Sequence, residues 1–258
     1  MRKSRSLIPA LAIMAFLIAQ TRAQTGPAPH FLSKQCNEYA IELHLDPGPF
    51  QDFVGHDFSM VLEQGKAYVL IVVHDCSQYW IDGENLGPAQ DIQVWVLIHG
   101  HEDVRSVVGA EKTLPTKTWF CLFVGSTNPK VRADKTASGT LVAPIDTVLM
   151  DLPTPQRGGM VSLGKNMSFS WDVTSPAKPS SRLVGVNNDV YVRGPNGKVV
   201  LNSIQALLHV SAGPSRGTLK VVGESDALPL IRPGTYPVTV QVFFPIWSRA
   251  TLGLSPSR

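Results

Sequence analysis

The sequence predicts a mostly β protein, built as a closed or nearly closed antiparallel β-barrel, with a β-sandwich as the alternative. Short apolar runs rich in β-branched and aromatic residues recur along the chain. Turn residues separate them, within a sequence that contains 21 Gly and 20 Pro. The runs are YAIELHL, FSMVL, AYVLIVV, IQVWVLI, TWFCLFV, DTVLMDL, MSFSWDV, DVYVR and YPVTVQVFF.

Residues 1–23 have the pattern of a secretory signal peptide. Arg2, Lys3 and Arg5 precede an apolar run, and Thr21-Arg22-Ala23 is a small-x-small cleavage signal. The apolar run is about 13 residues long and a spanning helix needs about 20, so no stable membrane insertion is expected after cleavage. The sequence therefore predicts a secreted or periplasmic protein.

The charge balance gives no support for a nucleic-acid partner. The chain has 23 Lys and Arg against 20 Asp and Glu, but four of the basic residues lie in the predicted signal peptide. The remaining chain is slightly acidic, with no basic excess for nucleic acid or an anionic membrane.

Residues 24–35 are predicted to be a flexible lead-in, and residues 36–258 a single β-rich domain with one large core. One segment departs from the β pattern. Leu201, Ile204, Leu207 and Leu208 recur at helical spacing, which predicts an amphipathic helix over residues 198–210. Nothing in the sequence predicts an oligomeric state.

The chain has three cysteines, an odd number for an oxidising compartment. Cys121 lies inside TWFCLFV, where a buried inert thiol is expected, and this leaves Cys36 and Cys76 as the candidate disulfide. Sequence alone does not establish that their Cα atoms come close enough to be bridged.

The segment HGHED at residues 99–103 follows an apolar strand and is a candidate metal site. If the strand continues through residue 100, His99 and His101 share one face and can hold one metal ion, with His74 or Asp75 as a third ligand. Glu102 would then serve as general base to a metal-bound water. We favour the alternative, in which Gly100 ends the strand and HGHED is a solvated turn. No cofactor is therefore expected, and a divalent metal such as zinc is the alternative.

The sequence contains no complete catalytic motif, neither a Gly-x-Ser-x-Gly nucleophile turn nor a Walker phosphate loop. Strands with two faces of different polarity are typical of a closed sheet with a lined cavity, and equally of an ordinary strand with one solvent-exposed face. Trp95 and His99 share one face of their strand, and Thr239 and Gln241 share one face of another. These four side chains are the candidate ligand-binding residues, and no catalytic residue is assigned.

The layout of residues 63–152 resembles the acetoacetate decarboxylase-like family. The segments that carry the resemblance are EQGKAYVLIVV, NLGPAQDIQVWVLI, TWFCLFVGSTN and SGTLVAPIDTVLMDL. The resemblance implies a closed, cone-like β-barrel around an apolar cavity, in a family that decarboxylates β-keto acids through a lysine Schiff base. Gly139-Thr140-Leu141 and Pro144-Ile145 stand where the family has Gly-Arg-Glu and Pro-Lys, so the family's catalytic residues are not matched.

The sequence as a whole predicts a secreted β-barrel protein that binds a small apolar or carbonyl-bearing molecule without catalysis. One alternative is a metal-dependent or decarboxylase-like extracytoplasmic enzyme. The polar stretch NPKVRADKT contains Lys130 and Lys135. A polar stretch is not expected to supply the desolvated lysine that a Schiff base needs. The other alternative is an interaction protein that presents its loops to a partner.

Overall fold

A computed structural model describes residues 30–56, 58–99, 116–137, 140–150, 158–164, 166–175, 179–193, 199–224 and 228–254. The predicted signal peptide, residues 24–29, His101 and Glu102 lie outside the described residues. The helices are α1 (Gly48–Val54) and α2 (Pro129–Ala137). The strands are β1 (Phe31–Leu45), β2 (Leu62–Glu63), β3 (Lys66–Ile81), β4 (Glu84–Leu97), β5 (Thr116–Ser126), β6 (Leu141–Met150), β7 (Gly158–Leu163), β8 (Met167–Ser175), β9 (Pro179–Arg193), β10 (Val199–Gly223) and β11 (Gly234–Leu254).

Hydrogen bonds close the sheet on itself through nine strands. The order is β1, β11, β10, β8, β7, β6, β5, β4 and β3, and β3 pairs back to β1. The pairs are antiparallel except at β5, which pairs in parallel with β6 and β9. A parallel pair needs a crossover connection, and α2 lies in the connection from β5 to β6. This ring confirms the predicted closed, mostly β fold.

Strand β9 creates a second closed path through the same sheet. It pairs with the first half of β10 on one side and with the start of β5 on the other. The second path therefore runs through seven strands, β1, β11, β10, β9, β5, β4 and β3. Six strands belong to both rings, namely β1, β3, β4, β5, β10 and β11. We call the adjacent strands β1, β3 and β4 the shared wall.

The helix predicted over residues 198–210 is wrong, because residues 199–210 form the first half of β10. Its backbone pairs with β9 on one side and with β11 on the other, so a helix here would break two hydrogen-bonded ladders. A strand with apolar residues at both odd and even positions also produces apolar residues at helical spacing, so the pattern alone does not separate the two structures.

The predicted lead-in also ends earlier than expected. Residues 31–35 form the start of β1, because residues 31–34 pair with both β3 and β11. Helices α1 and α2 replace segments that the sequence pattern assigned to turns and polar loops. Among the described residues, no helix is long and apolar enough to cross a membrane.

The main hydrophobic core lies against one face of the shared wall. Alternate residues of its strands, such as Ile41, Ile71 and Val94, are fully buried there. They belong to the same cluster as Phe169 and Trp171 of β8. The opposite face of the shared wall therefore points away from this core, into the second ring.

Candidate active site

A cavity of about 190 Å³ lies against this opposite face of the shared wall. Each of the seven strands of the second ring contributes at least one lining side chain. The walls are largely apolar and aromatic, with Leu70, Val72, Trp95 and Phe243 among the lining residues. Charged side chains lie at two places along this wall.

Irregularities in β1 and β3 bring additional side chains to the cavity. Ser33 and Glu38 both line it although they are an odd number of residues apart, and a regular strand would place them on opposite faces. The register of β1 with β11 shifts between these two residues, and Gln35 has a φ of 53°. The register of β3 with β4 shifts in the same way between His74 and Tyr79, which both line the cavity. These bulges reset which residues face inward.

A disulfide joins β1 and β3 at the bulges. The structure links Cys36 to Cys76, the pair that the sequence singles out, and Cys121 is a buried free thiol. Burial raises the pKa of the Cys121 thiol to about 12, as expected of an inert residue. Two positions along from the disulfide, Glu38 and His74 lie directly opposite each other in the same strand pair.

Glu38, His74, Tyr79, Asp91 and Gln93 form a hydrogen-bonded group that we call the His74 cluster. The Nε2 of His74 lies 2.7 Å from Oε2 of Glu38, and its Nδ1 lies 3.5 Å from Oδ2 of Asp91, too far for a strong hydrogen bond. The same Oδ2 accepts hydrogen bonds from the Tyr79 hydroxyl at 2.6 Å and from Nε2 of Gln93 at 3.3 Å. Asp91 is 1% exposed and its other carboxylate oxygen has no partner among the described residues.

The two carboxylates keep His74 protonated. Burial alone would lower the pKa of His74, but the charges of Glu38 and Asp91 and the polar contacts with them outweigh burial and raise the pKa to about 10. Burial and the charge of Asp91 raise the pKa of Tyr79, so its hydroxyl remains a neutral donor. At neutral pH the cluster therefore holds an imidazolium between two carboxylates.

Glu42, Tyr68, Lys117 and Trp119 form the other charged part of the cavity wall, which we call the Lys117 end. The Nζ of Lys117 lies 5.7 Å from the ring centre of Tyr68 and 5.7 Å from that of Trp119. Burial, the charge and hydrogen bond of Glu42 and the charge of Glu63 raise the pKa of Tyr68. Six residues of β3 separate Tyr68 from His74, a span of roughly 20 Å at about 3.3 Å per residue.

The structure brings only some of the predicted ligand-binding residues to the cavity. Trp95 and Gln241 line it. Thr239 and His99 are not among the lining residues. Thr239 is opposite Glu42 in the pairing of β1 with β11, and exposed His99 follows the end of β4.

The structure does not bring His74 and His99 together as metal ligands. His74 is opposite Asp91 in β4, and His99 lies eight residues beyond Asp91, roughly 26 Å along the strand direction. His101, the remaining predicted ligand, is outside the described residues. Across the ranges that are described, no group of three or more His, Cys, Asp or Glu side chains is placed to hold a metal ion.

Sequence reasoning missed Glu38, Tyr79, Asp91 and Lys117. An available signal was the presence of carboxylates inside apolar strands, since Glu38 precedes YAIELHL and Asp91 precedes IQVWVLI. Acids are rarely buried without a partner, so such positions indicate a polar network. The bulges that bring Glu38 and Tyr79 to one cavity have no comparable sequence signal.

Comparison with known proteins gives matches at the level of structure. No protein-family model and no curated protein matches the sequence. The structure of MppR, an enduracididine biosynthesis enzyme, with HEPES bound is similar to this chain with a TM-score of 0.54 and 10% identity, over 89% of this chain and 88% of that one. MppR complexed with pyruvate matches with the same TM-score of 0.54 and 10% identity, over 89% and 92%.

A third similar structure is an acetoacetate decarboxylase-like enzyme from Sphingomonas wittichii RW1. Its TM-score is 0.52 at 10% identity, over 89% of this chain and 95% of that chain. At identity this low, the structural match establishes a shared fold only. Activity and substrate depend on the residues of each site. The chain therefore has the acetoacetate decarboxylase-like fold, as the layout of residues 63–152 predicts.

Proposed function

We propose that this protein is an enzyme that binds a small carbonyl compound in the cavity and transfers a proton at Glu38. The observation that carries the proposal is the contact of 2.7 Å between Glu38 and His74, two side chains that both line the cavity. A buried ionisable pair with a strongly shifted pKa, placed in a concave apolar site, is typical of acid–base catalysis.

The size and walls of the cavity suit a small substrate with an apolar body. Pockets for drug-sized ligands measure about 300 to 1,000 Å³, and this cavity of about 190 Å³ is smaller. Leu70, Val72 and Phe243 supply apolar contact, and Gln93 and Gln241 supply polar groups at the wall. Such a site can orient a small substrate by apolar contact and a few polar groups.

Glu38 is the proposed catalytic residue. Its carboxylate takes a proton from the carbon next to the substrate carbonyl, and the electrons of the broken C–H bond move to the carbonyl oxygen. Negative charge thus leaves Glu38 and appears on the substrate, while the nearby imidazolium of His74 stabilises it. Return of the proton from Glu38 completes the cycle.

His74 and the residues behind it position Glu38. The Nε2–H of His74 donates to Glu38, and its Nδ1 side faces Asp91, which the Tyr79 hydroxyl holds in place. Both nitrogens of His74 therefore face carboxylates. This arrangement supports electrostatic positioning by His74 and gives no support to its predicted role as a metal ligand.

The decarboxylase-like alternative requires a neutral lysine in the cavity, and Lys117 is the lysine that lines it. A Schiff-base lysine is activated by desolvation or by a neighbouring cation. Lys117 is instead exposed, so it lacks the desolvation that Schiff-base chemistry needs, and its Nζ lies over the rings of Tyr68 and Trp119. We therefore do not assign Schiff-base chemistry to Lys117. Borohydride reduction in the presence of a small ketone should therefore leave the mass of the protein unchanged.

The test is exchange of carbon-bound hydrogen for deuterium. Proton NMR of 2-butanone in deuterated buffer should show faster loss of the signals next to the carbonyl when the protein is added. Glu38→Gln should lower the catalysed rate by about 100-fold or more, since positioned bases contribute about 10² to 10⁴. Glu84→Gln, which changes an exposed carboxylate outside the cavity, is the matched control and should retain the rate.

Two outcomes distinguish the alternatives. If Glu38→Gln exchanges as fast as the unmodified protein, the assignment of Glu38 is wrong. If a panel of small ketones quenches tryptophan fluorescence but none is exchanged, the protein is the non-catalytic binder that the sequence predicts.

A further inference from the structure

The cavity has two charged places, and both favour positive charge. The His74 cluster surrounds one imidazolium with Glu38 and Asp91. At the Lys117 end, one ammonium lies over the faces of Tyr68 and Trp119, and Glu42 lines the same end of the cavity. The two cationic side chains, His74 and Lys117, therefore lie in places built from carboxylates and aromatic rings.

Three tilted rings continue this cation-favouring surface along the wall. Trp119 lies 5.9 Å from Tyr68 and 6.0 Å from Trp95, measured between ring centres. The indole Nε1 of Trp119 donates to Oδ1 of Asn188 at 3.0 Å, which fixes the orientation of the ring. The negative face of an aromatic ring attracts ammonium groups, and attraction is strongest at tryptophan.

From these contacts we infer that the Lys117 end binds the charged group of a small organic cation, an amine or quaternary ammonium compound. The inference rests on the proposed binding of small molecules in this cavity, and it concerns the Lys117 end rather than the carbonyl site at Glu38. Lys117 is exposed, and the ammonium group of the ligand displaces its side chain from the two rings.

A carboxylate ligand held by Lys117 is the competing interpretation. Glu42 lines the same end of the cavity, and Glu63 is close enough for its charge to act on Tyr68. Both would repel an anion placed on Lys117. Within the described part of the lining, Glu38 and Glu42 balance His74 and Lys117, and Asp91 behind His74 leaves an excess of negative charge. The surroundings therefore favour a cation.

Three unreactive probes of one shape separate these interpretations. Choline carries the cation, its carbon isostere has a tert-butyl group in place of trimethylammonium, and tert-butylacetate carries an anion. Calorimetric titration of the whole protein, with tryptophan fluorescence as a second readout, should show choline binding about tenfold more tightly than the neutral isostere, and the anion most weakly.

Variants of the site provide the second readout. Lys117→Met removes the resident ammonium and should raise choline affinity about threefold or more, whereas Glu42→Gln should lower it by a similar factor. Neither change should alter binding of the neutral isostere. Lys130→Met, at an exposed lysine paired with Glu84 outside the cavity, should leave every affinity unchanged.

Equal affinity for choline and the neutral isostere would overturn the cationic class while leaving the cavity as a binding site. Tighter binding of tert-butylacetate, lost in Lys117→Met, would establish the anionic interpretation instead. Absence of binding by all three probes would also reject the inference. None of these results depends on proton transfer at Glu38, so they are distinguishable from failure of the exchange experiment.

Discussion

A buried histidine usually loses its proton more easily than a free one, and His74 is an exception. Two carboxylates approach its two nitrogens, at 2.7 Å and 3.5 Å, and the cluster has one cation for two anions. Because unpaired buried charges are costly, Glu38 and Asp91 depend on His74 for their stability as ions. The same three residues carry the proposed chemistry, so stability and activity are linked at this point.

The pH dependence of stability follows from the raised pKa of His74. The pKa is 6.5 in the unfolded chain and about 10 in the folded protein. The protonated residue therefore stabilises the fold fully below about pH 6.5, and this contribution declines as the pH rises toward 10. Urea unfolding at several pH values should show this decline.

His74→Gln should remove the pH-dependent decline and lower the free energy of unfolding at pH 6 by about 3 to 5 kcal/mol, because two buried carboxylates lose their cation. His44→Gln, at an exposed histidine that pairs with Glu63, is the control. Parallel pH profiles for His74→Gln and the unmodified protein would contradict this account of His74.

At the scale of elements, β1 and β3 position the site through paired irregularities. The pairing of the two strands skips Gln35 and Ser77, which are the sequence neighbours of the bonded residues Cys36 and Cys76. Bulges change which side chains face inward, and a covalent link at the bulge holds both strands in one register. The disulfide therefore both stabilises the fold and holds Glu38 opposite His74.

Removal of the disulfide should destabilise the protein by about 4 kcal/mol, the chain-entropy value for a loop of this size. The two cysteines are 40 residues apart in sequence. Urea unfolding of the Cys36→Ala, Cys76→Ala double variant measures this loss. Dithiothreitol should destabilise the unmodified protein and leave the double variant unaffected. An equal response of both proteins to dithiothreitol would show that another cysteine is responsible.

At the scale of the whole molecule, two closed rings share six strands, including β1, β3 and β4 of the shared wall. One face of this shared wall packs into the hydrophobic core, and the other lines the cavity. The fold is shared with MppR and an acetoacetate decarboxylase-like enzyme at TM-scores of 0.54 and 0.52. At 10% identity in each case, the side chains that line the cavity can differ from those of the two similar proteins.

We propose that the protein is exported, since a signal-like leader precedes a chain that forms a disulfide. Mass spectrometry of protein recovered outside the cytoplasm should give an N-terminus at Gln24, after cleavage at Ala23. A variant that lacks residues 1–23 should remain in the cytoplasm with Cys36 and Cys76 reduced. Retention of Met1 in exported protein would contradict the cleavage prediction.

Local patterns by themselves determined the β class, the disulfide candidates and most strand positions. Runs such as AYVLIVV and IQVWVLI are long and apolar enough to form strands in any suitable sheet. The apolar neighbours of Cys121 predict that this residue is buried, and it is. These properties depend on the residue and its immediate surroundings, which the sequence contains.

Only the tertiary structure decided where β10 pairs and which side chains meet in the cavity. Residues 199–212 are a strand because β9 and β11 pair with their backbone from both sides, against a helical pattern. Glu38 comes from β1 and His74 and Tyr79 come from β3, and bulges in these two strands set which side chains face the cavity. Contacts of this kind depend on long-range register, and a shift of one residue turns each side chain to the other face.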